Sequence, residues 1–233
     1  MERPARHFED ALGTLQERLL AMGGLAEERV REAVTALSER SAALVDHVLS
    51  GDEPINDLHI EIDDRCFKLL ALHQPMAADL RAIVAAVKIN SDLERVGDLA
   101  VNIAEAGKRY LQNPPVQPAV EIPHMGEIAQ GMLRDALDAF VRRDTKLAEA
   151  VLAEDDELDA LKTTVFRELL ACMRVDPTCI DASLDLVLVA RHLERIGDHA
   201  TNIAEDVIFM VSAKDVRHHA SDAGMADPST RPA

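Results

Sequence analysis

Apolar residues recur every three or four positions at Leu15, Leu19, Met22, Ala26, Val30, Ala33 and Leu37. That spacing keeps them on one face of an α-helix. Gly23 and Gly24 mark a candidate kink in it. The pattern continues through Leu44, Val45, Val48 and Leu49 and stops at Ser50 and Gly51, which predicts one long first helix. A second helix starts near Asp52 or Pro54, carries Ile55, Leu58, Ile62, Cys66, Leu69 and Leu70, and ends before Pro75. A third runs from Met76 to Leu111, a length of roughly 50 Å at about 1.5 Å per residue. Pro114, Pro115, Pro118 and Pro123 then predict a stiff linker.

The same plan returns beyond the linker. Residues 22–52 lie on 125–155 at a constant offset of 103, so that Met22, Ala26, Arg31, Ala36 and Arg40 meet Met125, Ala129, Arg134, Ala139 and Arg143. Further on the offset is 100, and LERVGDLAVNIAE (Leu93 to Glu105) meets LERIGDHATNIAE (Leu193 to Glu205), with ten of thirteen positions identical. Two shared segments in one order indicate a duplication. The second half is expected to hold helices over 124–153, 155–174 and 180–213, broken at Asp176 and Pro177. Period-two strand patterns are absent, and short loops between long helices favour antiparallel neighbours. The expectation is an all-α fold of two tandem, pseudo-symmetric three-helix bundles. The first covers residues 1–113, a Pro-rich linker 114–123, the second bundle 124–213, and a polar, disordered tail 214–233.

Composition narrows the function. Of 233 residues, 42 are acidic and 25 are Lys or Arg, a formal charge of −17. That disfavours a nucleic-acid binder, which needs a basic face. No apolar run approaches the ~18 residues of a membrane helix, and the charged start lacks a signal-peptide core. Cys66, Cys172 and Cys179 form no CxxC pair and read as free thiols of a reducing cytosol.

The chemistry is concentrated on the third helix of each half. Glu94 and Asp98 are four apart and share a face, as do Glu194 and Asp198. Like charges at that spacing are unfavourable, and so are Gly97 and Gly197 between them. The second helix of each half offers Asp155 with Asp159, and Asp52 with Asn56. An antiparallel neighbour would bring four oxygen side chains together, suiting Mg²⁺, Ca²⁺, Mn²⁺ or iron, with the glycines leaving room for close approach. The same acids read equally well as a solvated face. Arg95 and Arg195 would then pair with acids of a neighbouring helix, and Arg81 would reach a partner. His199 is discounted because Leu99 replaces it in the first half, and His218 and His219 read as solvent-exposed tail residues. There is no Walker P-loop, GxSxG elbow or HExxH, and the one ExxH, Glu121 to His124, falls in the linker.

The paired LERVGD and LERIGD segments, the QPMAADLR stretch (Gln74 to Arg81) and the Met22-Gly23-Gly24 start resemble the PhoU family of phosphate-specific transport accessory proteins. The resemblance spans Phe8 to Val211. It implies a cytoplasmic, dimeric, non-enzymatic negative regulator of the phosphate-starvation response and modulator of phosphate uptake. Such an adaptor links the ATP-binding subunit of the phosphate ABC importer to the sensor histidine kinase. It also implies metal clusters held by E(D)xxxD pairs. Here those would be Asp155/Asp159 with Glu194/Asp198, and Asp52/Asn56 with Glu94/Asp98, where the neutral Asn56 departs from the pattern. Arg81, Arg95 and Arg195 are candidate partner contacts. The alternative is a metal-dependent hydrolase handling phosphate compounds through the same carboxylates. Missing bases and missing cationic clamps count against it.

Overall fold

The computed structural model describes residues 2–51, 53–116 and 121–216. Among the described residues there are seven α-helices: α1 (Glu2–Ser38), α2 (Ala42–Ser50), α3 (Glu53–His73), α4 (Ala77–Tyr110), α5 (Ile122–Arg142), α6 (Thr145–Val175) and α7 (Ile180–Ser212), with a 3₁₀ turn at Pro177–Cys179 before α7. No strand occurs among the described residues. Asp52, residues 117–120 of the Pro-rich stretch and the tail beyond residue 216, with His218 and His219, lie outside the described residues.

Three helical layers make each half: α1, α2–α3 and α4 in the first, α5, α6 and α7 in the second. The predicted breaks need correcting. The first helix does not run to Ser50. It stops where Arg40 adopts a left-handed conformation, φ 52°, and α5 stops at Arg143, φ 54°. These two residues are equivalent at the repeat offset of 103. Each is followed by a capping side chain: Ser41 accepts from the Leu44 N–H, and Asp144 accepts from the N–H groups of Lys146 and Leu147. Both are preferred N-cap types. The Arg40 guanidinium donates to the carbonyls of Leu111 and Asn113 and lies 4.9 Å from the Tyr110 ring centroid. Those contacts hold a conformation disfavoured for a residue with a Cβ. In the first half Gly51 adds a second break between α2 and α3. In the second half Glu154 takes its place, and α6 continues unbroken past it.

α1 passes through Gly23 and Gly24 without interruption. The glycine serves packing instead. A Cβ at Gly23 would collide with Leu137 of α5, and one at Gly126 would meet Val34 of α1 at 3.0 Å. The two contacts are related by the repeat, so the Met-Gly start of each half seats α1 against α5.

The halves share one core. Leu15, Leu19, Ile55, Ile83 and Leu93 of the first join Met125, Phe140, Leu158, Leu193 and Ile203 of the second, all essentially without exposure. At the centre α4 packs on α7. The order of contacts reverses along the pair: Arg81 meets Met210, Lys88 meets Asp206, and Arg109 meets Asp185. α4 and α7 are therefore antiparallel, and the predicted polar stripes stand on the outer sides of this central pair.

Candidate functional site

On the second half, α6 lies against α7 and sets Asp155 and Asp159 beside Glu194 and Asp198. Gly197 makes this approach close. A Cβ there would meet Leu158 Cδ2 at 2.5 Å and Asp155 Oδ1 at 3.3 Å. Leu158 takes most of the space, so the glycine seats an apolar side chain first and a carboxylate second. Gly97 does the same for Ile55 of α3, whose Cδ1 would lie 3.1 Å from the added carbon.

Crowding shows in the acidity of the group. Burial, then the charges of Asp198, Asp159, Glu194 and Asp156, push the Asp155 carboxyl from 3.8 up to about 6. Asp198 is raised as well, by partial loss of water and then by Glu194 and Asp159, while His199 and Lys162 pull it down. Lys162 was not among the residues singled out from the sequence. Its ammonium donates to Asp159 Oδ1 at 2.7 Å and to Glu194 Oε1 at 2.6 Å. Burial acts to lower its pKa, but those two hydrogen bonds outweigh it and hold the pKa above the usual lysine value. Lys162 therefore bonds two of the four carboxylates, and the neighbouring charges that act on Asp155 are acidic.

Among the described residues, no three His, Cys, Asp or Glu side chains are arranged to grip one ion as they stand. The donor set nevertheless fits a hard cation. It is all oxygen, it carries surplus negative charge, and burial first and acidic neighbours second push the Asp155 carboxyl upward.

The first half is not a copy. Asp52 is outside the described residues. Asn56 lies on α3, as the repeat requires. The sequence expectation that Arg95 pairs with acids of a neighbouring helix is corrected here. Arg95 pairs with the acids flanking it on α4, Nε to Glu94 at 3.4 Å and Nη1 to Asp98 at 3.3 Å. The counterpart of Lys162 is His59, which faces the Asn90 carbonyl and Asp63 instead. Arg81 donates its Nε–H to the Met210 carbonyl in the last turns of α7, satisfying a group the helix itself leaves open. Arg195 stands exposed beside the second cluster.

Sequence reasoning also missed the polar links between halves. His199 Nδ1 lies 2.8 Å from Asp92 Oδ1, and both side chains are only 16% exposed. Asn202, one turn along the stripe, turns its amide toward the same Asp92 oxygen at 3.5 Å. Lys88 pairs with the nearly buried Asp206 at 2.7 Å, and Arg109 with Asp185 at 2.8 Å. In the pseudo-symmetric positions stand Leu188 with Ala106, and Phe209 with Ala85. The charges thus sit where the two repeats differ, and that difference was their signal.

Comparison with known proteins agrees with this architecture. The PhoU domain profile matches twice, over residues 19–107 and 122–207. A phosphate-specific transport system accessory protein PhoU homolog of Caulobacter vibrioides is 40% identical over 216 residues, 92% of this chain and 94% of that one. The Pseudomonas putida homolog is 43% identical over 215 residues, 92% of this chain and 84% of its own. The crystal structure of PhoU from Pseudomonas aeruginosa superposes with a TM-score of 0.84 at 40% identity, covering 89% of this chain and all of that one. The phosphate transport system regulatory protein PhoU from Streptococcus pneumoniae gives 0.82 at 29% identity, over 90% and 99% of the two chains. Two domain matches on two structurally equivalent halves leave one assignment: the chain belongs to the PhoU family.

Proposed function

We propose that this protein is a regulatory accessory protein of phosphate-specific transport, acting as a cytoplasmic, non-enzymatic adaptor. It links the ATP-binding subunit of the phosphate importer to the phosphate-sensing histidine kinase, and it represses the starvation response when phosphate is plentiful. The observation that carries this reading is likeness to named transport accessory and regulatory proteins along nine-tenths of the chain. The fold supports it as well. One continuous core makes a rigid body with two related but unequal faces, suited to two partners. No helix among the described residues is long and apolar enough to cross a membrane, so contact with the importer would run through its ATP-binding subunit. The importer's transport state is then read as a difference in affinity for the adaptor.

Asp155, Asp159, Glu194 and Asp198 would hold a divalent or iron-type cation, with Lys162 swinging away to free two of its ligands. Bound there, a cation would neutralise the cluster and stiffen the α6–α7 face. An open groove of about 380 Å³ beside it, lined by Lys162, Phe166, Val187, Arg191 and Glu194, offers apolar area and charge to a partner. The protein is also proposed to form a homodimer.

The test is direct binding. Purified chain is presented to the importer's ATP-binding subunit and to the cytoplasmic part of the kinase, with and without Mn²⁺. Binding to both, weakened by Asp198→Ala or Arg195→Ala, is the expected result. Binding to neither removes the adaptor reading.

A further inference from the structure

The sequence reads Cys172 and Cys179 as free thiols, seven residues apart across a helix end. The fold brings their sulfurs to 2.8 Å. Cys172 sits in the last turns of α6, and Cys179 ends the 3₁₀ turn and leads into α7. Asp176 makes the bend between them, accepting from the N–H and hydroxyl of Thr178 at 2.9 and 2.7 Å. Both thiols are partly exposed and line an open cavity of about 550 Å³ between this corner and Pro114–Val116 of the inter-half connection. A disulfide needs about 2.05 Å between sulfurs, so closure requires under about 1 Å of movement.

We propose that Cys172 and Cys179 are a reversible oxidation site that forms an intramolecular disulfide with a small neutral peroxide. The pair is unequal. Cys179 Sγ faces the start of α7 and accepts from the Ser183 hydroxyl at 3.5 Å as well as meeting Cys172. Cys172 holds its proton more tightly than an ordinary thiol, first because of its hydrogen bond with Cys179, with the Ser183 hydroxyl pulling the other way. Cys179 is the N-cap residue of α7, where the helix favours a thiolate, and is the sulfur oxidised first. It displaces one oxygen of hydrogen peroxide, giving a sulfenic acid and one water. Cys172 then attacks that sulfur, the S–O bond breaks, and the hydroxyl leaves with the Cys172 proton as a second water. Two thiols and one peroxide become one disulfide and two waters.

Charge selects the oxidant. Glu168 and Asp176 stand at the cavity wall, and hydrogen bonds from Thr178 hold the Asp176 carboxyl below its usual range. Anionic oxidants such as glutathione disulfide are disfavoured there, whereas hydrogen peroxide is not. Cys66 lies fully buried in the core with its thiol pushed up to about 12, chiefly by that burial, and is not a competitor.

The test uses the full chain, reduced and then desalted without oxygen. It is exposed to hydrogen peroxide or glutathione disulfide, alkylated, and digested with trypsin without reduction. Trypsin cuts after Arg174, between the two cysteines, so the bond joins two otherwise separate peptides. The expected result is that joined pair, a mass lower by about 2 Da for two lost hydrogens, reversal by dithiothreitol, and Cys66 still alkylated. Peroxide should outpace glutathione disulfide by roughly tenfold. Cys172→Ser should leave a dimedone-trappable sulfenic acid on Cys179, and Cys179→Ser should leave roughly tenfold less on Cys172. No joined pair, a bond to Cys66, or a bond between two copies overturns the proposal.

Discussion

Replacing Asp155 with asparagine should stabilise the protein near neutral pH, and the reason lies in the acid cluster. The folded state raises this carboxyl from 3.8 to about 6, through burial first and acidic neighbours second. A folded-state pKa above the unfolded value means that the folded protein favours the protonated acid. The stability this brings is fully present below the unfolded value near 3.8 and is lost as pH rises through about 6. Each unit corresponds to about 1.36 kcal/mol, so the whole shift is about 3 kcal/mol. Asp155 is only half-buried, and solvent screening reduces this to roughly 1–1.5 kcal/mol. The amide side chain would keep the shape without the charge. At about pH 8 the variant should melt roughly 3–5 °C above the parent. That gap should shrink by about half at about pH 5 and vanish on further acidification. Thermal unfolding followed by circular dichroism at several pH values measures it. A variant less stable than the parent at about pH 8, or an advantage that grows with acidity, would show that the Asp155 charge does not burden the fold. Added Mn²⁺ should shrink the difference, because a cation relieves in the parent what the amide relieves in the variant.

Other consequences concern packing and charge. Gly197→Ala should destabilise by about 1–3 kcal/mol, since the new methyl overlaps Leu158. Gly131→Ala in α5, which meets nothing within 4 Å, should stabilise by about 0.5–1 kcal/mol; urea unfolding of both variants checks the contrast. Lys88→Leu should cost about 1–3 kcal/mol by depriving the nearly buried Asp206 of its lysine. Adding Asp206→Ala, which restores the apolar pair of the opposite repeat, should recover most of that loss in a double-mutant cycle. With Asp198→Asn, isothermal titration with Mn²⁺ should show binding weakened by about tenfold or more against the parent protein.

Long, strongly periodic stretches such as Met76 to Leu111 were legible because packing there follows the helical pattern itself. The duplication was legible because LERVGD and LERIGD differ so little. The breaks at Arg40 and Arg143 were not read, since arginine favours helices, and the contacts that brace Arg40, to Leu111 and Asn113, lie far along the chain. Ser41 and Asp144, capping types at the repeat offset, were the overlooked signal. The α6–α7 acid cluster was found from spacing alone, because i and i+4 positions share a face wherever the helix begins. Lys162 escaped notice because its first-half counterpart is His59, and residues that the repeats do not share carry no repeat signal. His199 was set aside for the same reason, and its partner Asp92 lies on the other half. The approach of Cys172 and Cys179 depends on how the chain turns through Asp176, which periodicity does not describe.

Negative regulation of the response to phosphate starvation is read out by alkaline phosphatase activity in phosphate-rich medium, measured after deletion of the gene, after complementation, and in a strain lacking only the importer. The deletion strain should show high activity that returns to the repressed level on complementation. Activity that stays repressed in the deletion strain would remove this role.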